Sequence, residues 1–106
     1  MITRTWSARA TEAGARDYHT YFDQTLLPEL RKLAGFGGAY LLSRDHDDIV
    51  ELTVHTFWDS FDAITSFAGE TFTVAVVEPE AQAMLLEIDP TVSHRTVLVD
   101  RRPSRE

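Results

Sequence analysis

Cysteine is missing from this chain of 106 residues, which excludes disulfides, thiol chemistry and cysteine-ligated metal. No apolar run approaches the roughly 20 residues that a membrane-spanning helix needs. The opening stretch Met1–Trp6 has no long apolar region of the kind that marks a secretory leader, so a cytoplasmic location is expected. Positive charge is scarce: 10 Lys and Arg stand against 17 Asp and Glu, a net charge of −7. That balance argues against nucleic acid or an anionic membrane as a partner. No glycine-rich phosphate loop, Ser or Cys nucleophile motif or dinucleotide fingerprint is present. The four histidines are scattered with no ligand-like spacing, and the acidic run Asp45–Asp48 lacks the pattern of a calcium loop. No metal and no cofactor are expected.

What is there is an ordinary globular mixture, 43% hydrophobic and 25% charged, in a chain of 12.0 kDa. This length suits one domain, expected over 1–100, with 101–106 as a flexible tail. The centre is Ile49–Trp58, dense in β-branched and aromatic residues and free of Gly and Pro. It runs directly into Asp59-Ser60, both good N-caps, followed by Phe61, Ile64, Phe67 and Ala68 at helical spacing. A buried strand therefore feeds an amphipathic helix, with Trp58 at the joint.

The flanking segments are legible in the same way. Ile2–Ala8 alternates Ile2, Arg4, Trp6 and Ala8 against Thr3, Thr5 and Ser7, which predicts a first strand. Thr11 is placed to cap a helix whose apolar stripe is Tyr18, Phe22, Leu26, Leu30 and Leu33, with Glu12, Arg16, His19 and Asp23 on the solvated face. Pro28 predicts a kink at Leu27–Pro28. Ala39–Ser43 predicts a short strand, Arg44–Asp48 a turn, and Phe72–Val77 is ambiguous between strand and helix. Pro79 opens a further helix through Leu86, and Thr91–Val99 is the expected last strand. The order βαββαβ specifies an α+β, ferredoxin-like fold: a four-stranded antiparallel sheet with helices on one face. Leu52 and Val54 point away from His55 and Phe57 along one strand, so both sheet faces carry apolar groups. A homodimer joined through the sheet faces is expected.

Two segments carry a family resemblance. Leu27-Pro28-Glu29-Leu30 with Gly35-Phe36-Gly37-Gly38-Ala39, and Thr56-Phe57-Trp58-Asp59-Ser60 with Ala63 and Phe67-Ala68, resemble the antibiotic biosynthesis monooxygenase domain, a branch of the dimeric α/β-barrel superfamily. The resemblance implies a small cofactor-independent monooxygenase acting on a hydrophobic aromatic or polyketide-type molecule. Similar barrels also imply alternatives: a cyclase or isomerase using the same pocket without oxygen, or a non-catalytic dimeric ligand-binding or accessory protein. Where haem-degrading members carry Asn, Trp and His, this chain offers Thr5/Trp6, Phe67 and Val76/Val77. Where the anthrone oxygenases pair the strand-end Trp with an Asn, Trp58 is matched and Val54 replaces the Asn.

The candidate catalytic groups are His55, an ionisable residue inside the central strand, and His94 in the last strand, each suited to general-base work. Each is read first as a contact at the dimer face, and strand parity puts His55 opposite Val54 and Trp58. His19 and His46 read as surface residues. Trp58, Trp6, Tyr18, Phe22, Phe67 and Phe72 are the candidate lining of an aromatic substrate cavity, against ordinary core packing for each.

Overall fold

The computed structural model describes residues 1–101 and 103; the expected tail at 101–106 falls largely outside them. Alternation decides the sheet. Strand β1 (Ile2–Ala10) buries every second residue from Ile2 to Ala10, and β3 (Ile49–Trp58) buries Val50, Leu52, Val54, Thr56 and Trp58. The two pair antiparallel from Ile2↔Trp58 to Ala10↔Val50, so their buried sets share one face. On the other side β2 (Phe36–His46) pairs with β3. Beyond β1 lie β4 (Glu87–Ile88) and β5 (Ser93–Thr96), both antiparallel to it. The spatial order β2-β3-β1-β4, with β5 also on β1, is the ferredoxin-like arrangement the sequence predicts.

Several boundaries move for physical reasons. β2 is longer than Ala39–Ser43 and takes in Arg44, Asp45 and His46, because cross-strand partners on β3 reach to Ile49. Only Asp47 and Asp48 are left to turn, with Asp47 at φ 57°, a left-handed conformation Asp tolerates. The expected last strand is split into β4 and β5. After Asp89, whose N–H still donates to the Ser7 carbonyl, residues 90–92 leave the β1 ladder to meet the strap 69–78, through a Val74↔Thr91 bridge and the Ala75 N–H to Pro90 carbonyl bond. Phe72–Val77, ambiguous in the sequence, is neither strand nor helix.

Helix α1 (Glu12–Tyr21) is capped as expected, the Thr11 hydroxyl accepting from the Gly14 N–H at 3.0 Å. The break at Pro28 takes the form of a π-helical turn over Phe22–Leu26, where Leu27 N–H reaches back to the Phe22 carbonyl, before α2 (Leu27–Leu30). Pro28 would clash with the carbonyl a turn earlier, and a wider turn relieves that contact. Tyr18, Phe22 and Leu30 of the stripe are buried, whereas Leu33 lies past the helix and is exposed. At Gly35, φ is 85° and an added Cβ would stand 2.5 Å from the Ala63 side chain, so the turn into β2 needs glycine. Ser60 caps α3 (Phe61–Ala68), accepting from Ala63 N–H at 3.2 Å. The helix expected at Pro79–Leu86 is one turn, α4 (Pro79–Gln82), because Leu86 is drawn into an N–H bond to the Arg9 carbonyl.

The core has two parts on the helix side of the sheet. One centres on Trp6, Leu52, Val54, Tyr18 and Phe22; the other holds Ile2, Leu30, Trp58 and Ile64. At the edge, Arg9 clamps β1 to β4 through Glu87 and Asp89, each at 2.7 Å. Among the described residues, no helix is long and apolar enough to cross a membrane.

Gly14 yields a test whose sign is opposite to propensity. Replacing a Gly within a helix by Ala normally stabilises, by up to about 1 kcal/mol. Here the new Cβ would sit 2.3 Å from the Met84 carbonyl oxygen, a backbone atom that cannot step aside. Gly14→Ala is expected to lower the midpoint of thermal unfolding, as read by circular dichroism.

Candidate functional site

Between the sheet and α1 lies a cavity of about 110 Å³. Its floor is the buried face of β1 and β3, which places Arg4, Trp6, Val54 and Thr56 there by strand parity. Its roof comes from α1 and the π turn, as Tyr18, Tyr21, Phe22 and Leu26. Leu30 and Phe67 close one side, and the strap contributes Val76, Val77 and Glu78. The aromatic wall is continuous: Trp6, Tyr21 and Phe22 each lie 5.8 to 6.2 Å, centroid to centroid, from Tyr18.

The exceptional group is Arg4, 5% exposed. Its Nη1 donates to the Phe72 carbonyl and lies 3.1 Å from His94 Nε2, and its Nη2 donates to the Val74 carbonyl at 3.1 Å. Its guanidinium carbon is 5.7 Å from the Phe67 ring centre. Among the described residues, no carboxylate pairs with it, whereas Arg9, Arg16 and Arg44 all have acidic partners. Burial lowers its pKa from the usual arginine value, but an arginine stays protonated inside proteins. The cavity therefore carries a buried positive charge that, among the described residues, is met by carbonyl and ring dipoles and by no carboxylate.

Because Arg4 can only donate, His94 Nε2 must accept, which places the imidazole proton on Nδ1 and makes the ring neutral. Burial first, and then the Arg4 charge, lowers the His94 pKa. Its ring packs with Phe61 and Phe72 at 5.6 and 5.5 Å. The Tyr18 hydroxyl, in a residue 3% exposed, has its pKa pushed well up by burial, with Tyr21 adding a smaller effect. Tyr21 is shifted the same way by burial, then by Glu78 and Glu80. Both phenols thus remain donors at neutral pH.

The candidates from the sequence separate into three groups. Trp6, Tyr18, Phe22 and Phe67 line the cavity together. His94 and Phe72 stand beside it, through their contacts with Arg4. Trp58 and His55 lie elsewhere. Trp58 has no exposed surface and sits behind Phe67, stacked on it at 5.3 Å, with its indole N–H donating to Thr56 Oγ1 at 2.9 Å. It orders the wall from within the core. His55 is on the opposite face of the sheet, its Nδ1 2.9 Å from the Thr5 hydroxyl, level with Tyr40 on β2.

Arg4, Tyr21, Thr56 and Glu78 were not among the candidates. The signal for Arg4 was available: it occupies the same strand face as Ile2, Trp6 and Ala8, where a charge has no solvent. Tyr21 and Glu78 gave none, since the π turn and the irregular strap bring them inward.

No protein-family profile matches the chain, and no curated protein matches it. Solved structures do. A Bacillus cereus protein assigned as an antibiotic biosynthesis monooxygenase aligns over 99% of this chain and 98% of its own, with a TM-score of 0.65 at 15% identity. A Streptomyces coelicolor monooxygenase in complex with nanaomycin D aligns over 97% and 92%, with a TM-score of 0.62 at 14% identity. The chain shares the fold of antibiotic biosynthesis monooxygenases from end to end.

His94 gives a pH prediction. Its pKa in the folded protein lies below the unfolded value near 6.5, so the stability it contributes is complete above about pH 6.5 and is lost as pH falls below that. Unfolding midpoints measured from about pH 7.5 down to about 5.5 should fall. The fall should be smaller in His94→Gln, which keeps an acceptor for Arg4 but cannot take a proton.

Proposed function

We propose that the protein is a small cofactor-independent oxygenase that binds a hydrophobic aromatic or polyketide-type molecule in the cavity between sheet and helices. The observation that carries this reading is the cavity itself: a mostly apolar wall with five aromatic side chains, and a buried guanidinium set into it. Small-molecule sites combine an apolar lining with a few placed polar groups in this way. The fold shared with the S. coelicolor monooxygenase bound to nanaomycin D supports the same choice.

The chemistry proposed needs no bound group. A substrate with an acidic C–H next to an aromatic carbonyl loses a proton, and the resulting carbanion gives electrons to dioxygen. A C–O bond forms as the hydroperoxide; loss of water then breaks the O–O bond and leaves a new carbonyl. The reaction consumes one O₂ and releases one H₂O per substrate. The positive charge of Arg4 favours the carbanion, and a tyrosine held protonated can donate to the peroxide oxygen.

A second reading, binding without catalysis, is favoured by one observation. Both candidate bases are engaged, His94 Nε2 with Arg4 and His55 with Thr5 on the far face. A cyclase or isomerase would use the same cavity without oxygen. Oxygen-electrode measurements with 1,8-dihydroxyanthrone, followed by chromatography of the product, separate the three. Oxygen uptake above the uncatalysed rate that falls in Arg4→Gln supports the first. A product without oxygen uptake supports the isomerase, and binding without product supports the binding protein.

The same reading includes a homodimer and a cytoplasmic location. The far face of the sheet exposes Tyr40 and Leu42 by 48% and 45%, with Phe57 against Tyr40 at 5.7 Å. Packing two such faces together removes an apolar surface from water. Light scattering at micromolar concentration should give twice 12.0 kDa; a monomer would remove this part of the proposal.

A further inference from the structure

We infer that the cavity is built for an aromatic ligand that carries an oxyanion, received by Arg4 on its Nε–H and its remaining Nη2–H. The argument rests on this cavity being the ligand site, and it begins with the donors of one side chain. The guanidinium uses both hydrogens of Nη1, on the Phe72 carbonyl and His94 Nε2, and one hydrogen of Nη2, on the Val74 carbonyl. Among the described residues, the Nε–H and the second Nη2–H have no acceptor. On a guanidinium the Nε–H and one Nη2–H share an edge of the plane, the geometry that meets a carboxylate or another oxyanion with paired bonds.

Two further observations point the same way. Arg4 is 5% exposed, so its charge is largely removed from water, and a buried charge without a counter-ion is costly. A monoanionic ligand would supply that counter-ion. The Tyr18 hydroxyl is a second donor in the wall, 3% exposed and without a protein acceptor among the described residues. Among the described residues, the one carboxylate on the lining is Glu78. It sits near enough to Tyr21 to raise that phenol's pKa, and it forms no ion pair with Arg4. The aromatic wall would hold the body of the ligand, and Arg4 would select its charged edge. A neutral hydrocarbon of the same shape would leave both free donors unpaired, which is a stronger basis for discrimination than shape alone.

The oxyanion could be a carboxylate or the ionised oxygen of a phenol or enol, and the test has an arm for each. The first arm titrates 2-naphthoate and its neutral isostere 2-naphthamide into the whole protein, read by quenching of tryptophan fluorescence, since Trp6 lines the cavity. The naphthoate should bind about tenfold more tightly or better, and Arg4→Gln should abolish the difference. The second arm uses 7-hydroxycoumarin, whose phenol and phenolate absorb at different wavelengths. On the wild-type protein the bound probe should be ionised at a pH where the free probe is mostly neutral, and Arg4→Gln should reverse this. If Arg4→Gln does not fold, Arg4→Lys keeps the charge without the paired donors and should lose most of the preference. Equal affinity of naphthoate and naphthamide for the wild-type protein, with the coumarin bound neutral, would overturn the inference while leaving an aromatic pocket in place. Failure of every probe to bind would remove the pocket reading along with it.

Discussion

A buried guanidinium that meets no carboxylate among the described residues, set between the sheet and an irregular strap, is the interaction on which the candidate site depends. Arg4 joins the middle of β1 to the Phe72 and Val74 carbonyls, so a segment with no helix or ladder of its own is fastened to the most regular strand in the molecule. It fixes the ring state of His94 and borders the cavity at the same time. Replacing it with an apolar residue would fill the space and fit the strand pattern better. It would also release the strap and leave two carbonyls without a donor.

The two faces of the sheet divide the labour. Residues at even positions of β1 and β3 build core and cavity; those at odd positions form a half-buried surface with His55, Phe57 and Tyr40. A shift of register by one residue would exchange these sets, carrying Arg4 out to the open face and His55 in. The unbroken β1–β3 pairing along both strands is therefore what keeps the aromatic wall and the cation together. Trp58 reinforces it at the end of β3, linked through the Thr56 hydroxyl to the Arg4 carbonyl on the neighbouring strand.

The fold was largely legible because its signals are periodic. Alternation in Ile2–Ala8 and Ile49–Trp58, the Thr11 and Ser60 caps, and the glycines after α2 each state one local structure, and together they permit one topology. The site was legible only where it coincides with the core. Trp6, Tyr18, Phe22 and Phe67 come together at the cavity because aromatics on buried faces meet. Sequence order could not show that Trp58, on the same strand face as Val54, ends behind Phe67 rather than at the cavity. Strand parity alone puts His55 on the far side, and the strand keeps it there. Arg4 keeps the alternation of its strand intact, and only its chemistry departs from its neighbours Ile2, Trp6 and Ala8 on that face. The strap could not be read at all. Its conformation is set by tertiary bonds to Arg4 and Thr91, and no local propensity encodes those.

The π-helical turn over Phe22–Leu26 gives meaning to a detail of spacing. Aromatic and aliphatic residues along this segment recur every four positions, at 18, 22, 26 and 30. In an ideal α-helix, a step of four overshoots a full revolution by about 40°, so such a row winds progressively around the cylinder. A wider turn in the middle rotates less per residue and winds the row back. Tyr18 and Leu30 thereby face the same side across three intervals, and both are buried. The interval of four and the proline at 28 are thus two halves of one instruction: a strictly α-helical relative would have to carry its hydrophobic row one residue shorter here. A single-residue gap in this segment, when such chains are aligned, marks a change of helical pitch and not the loss of a contact.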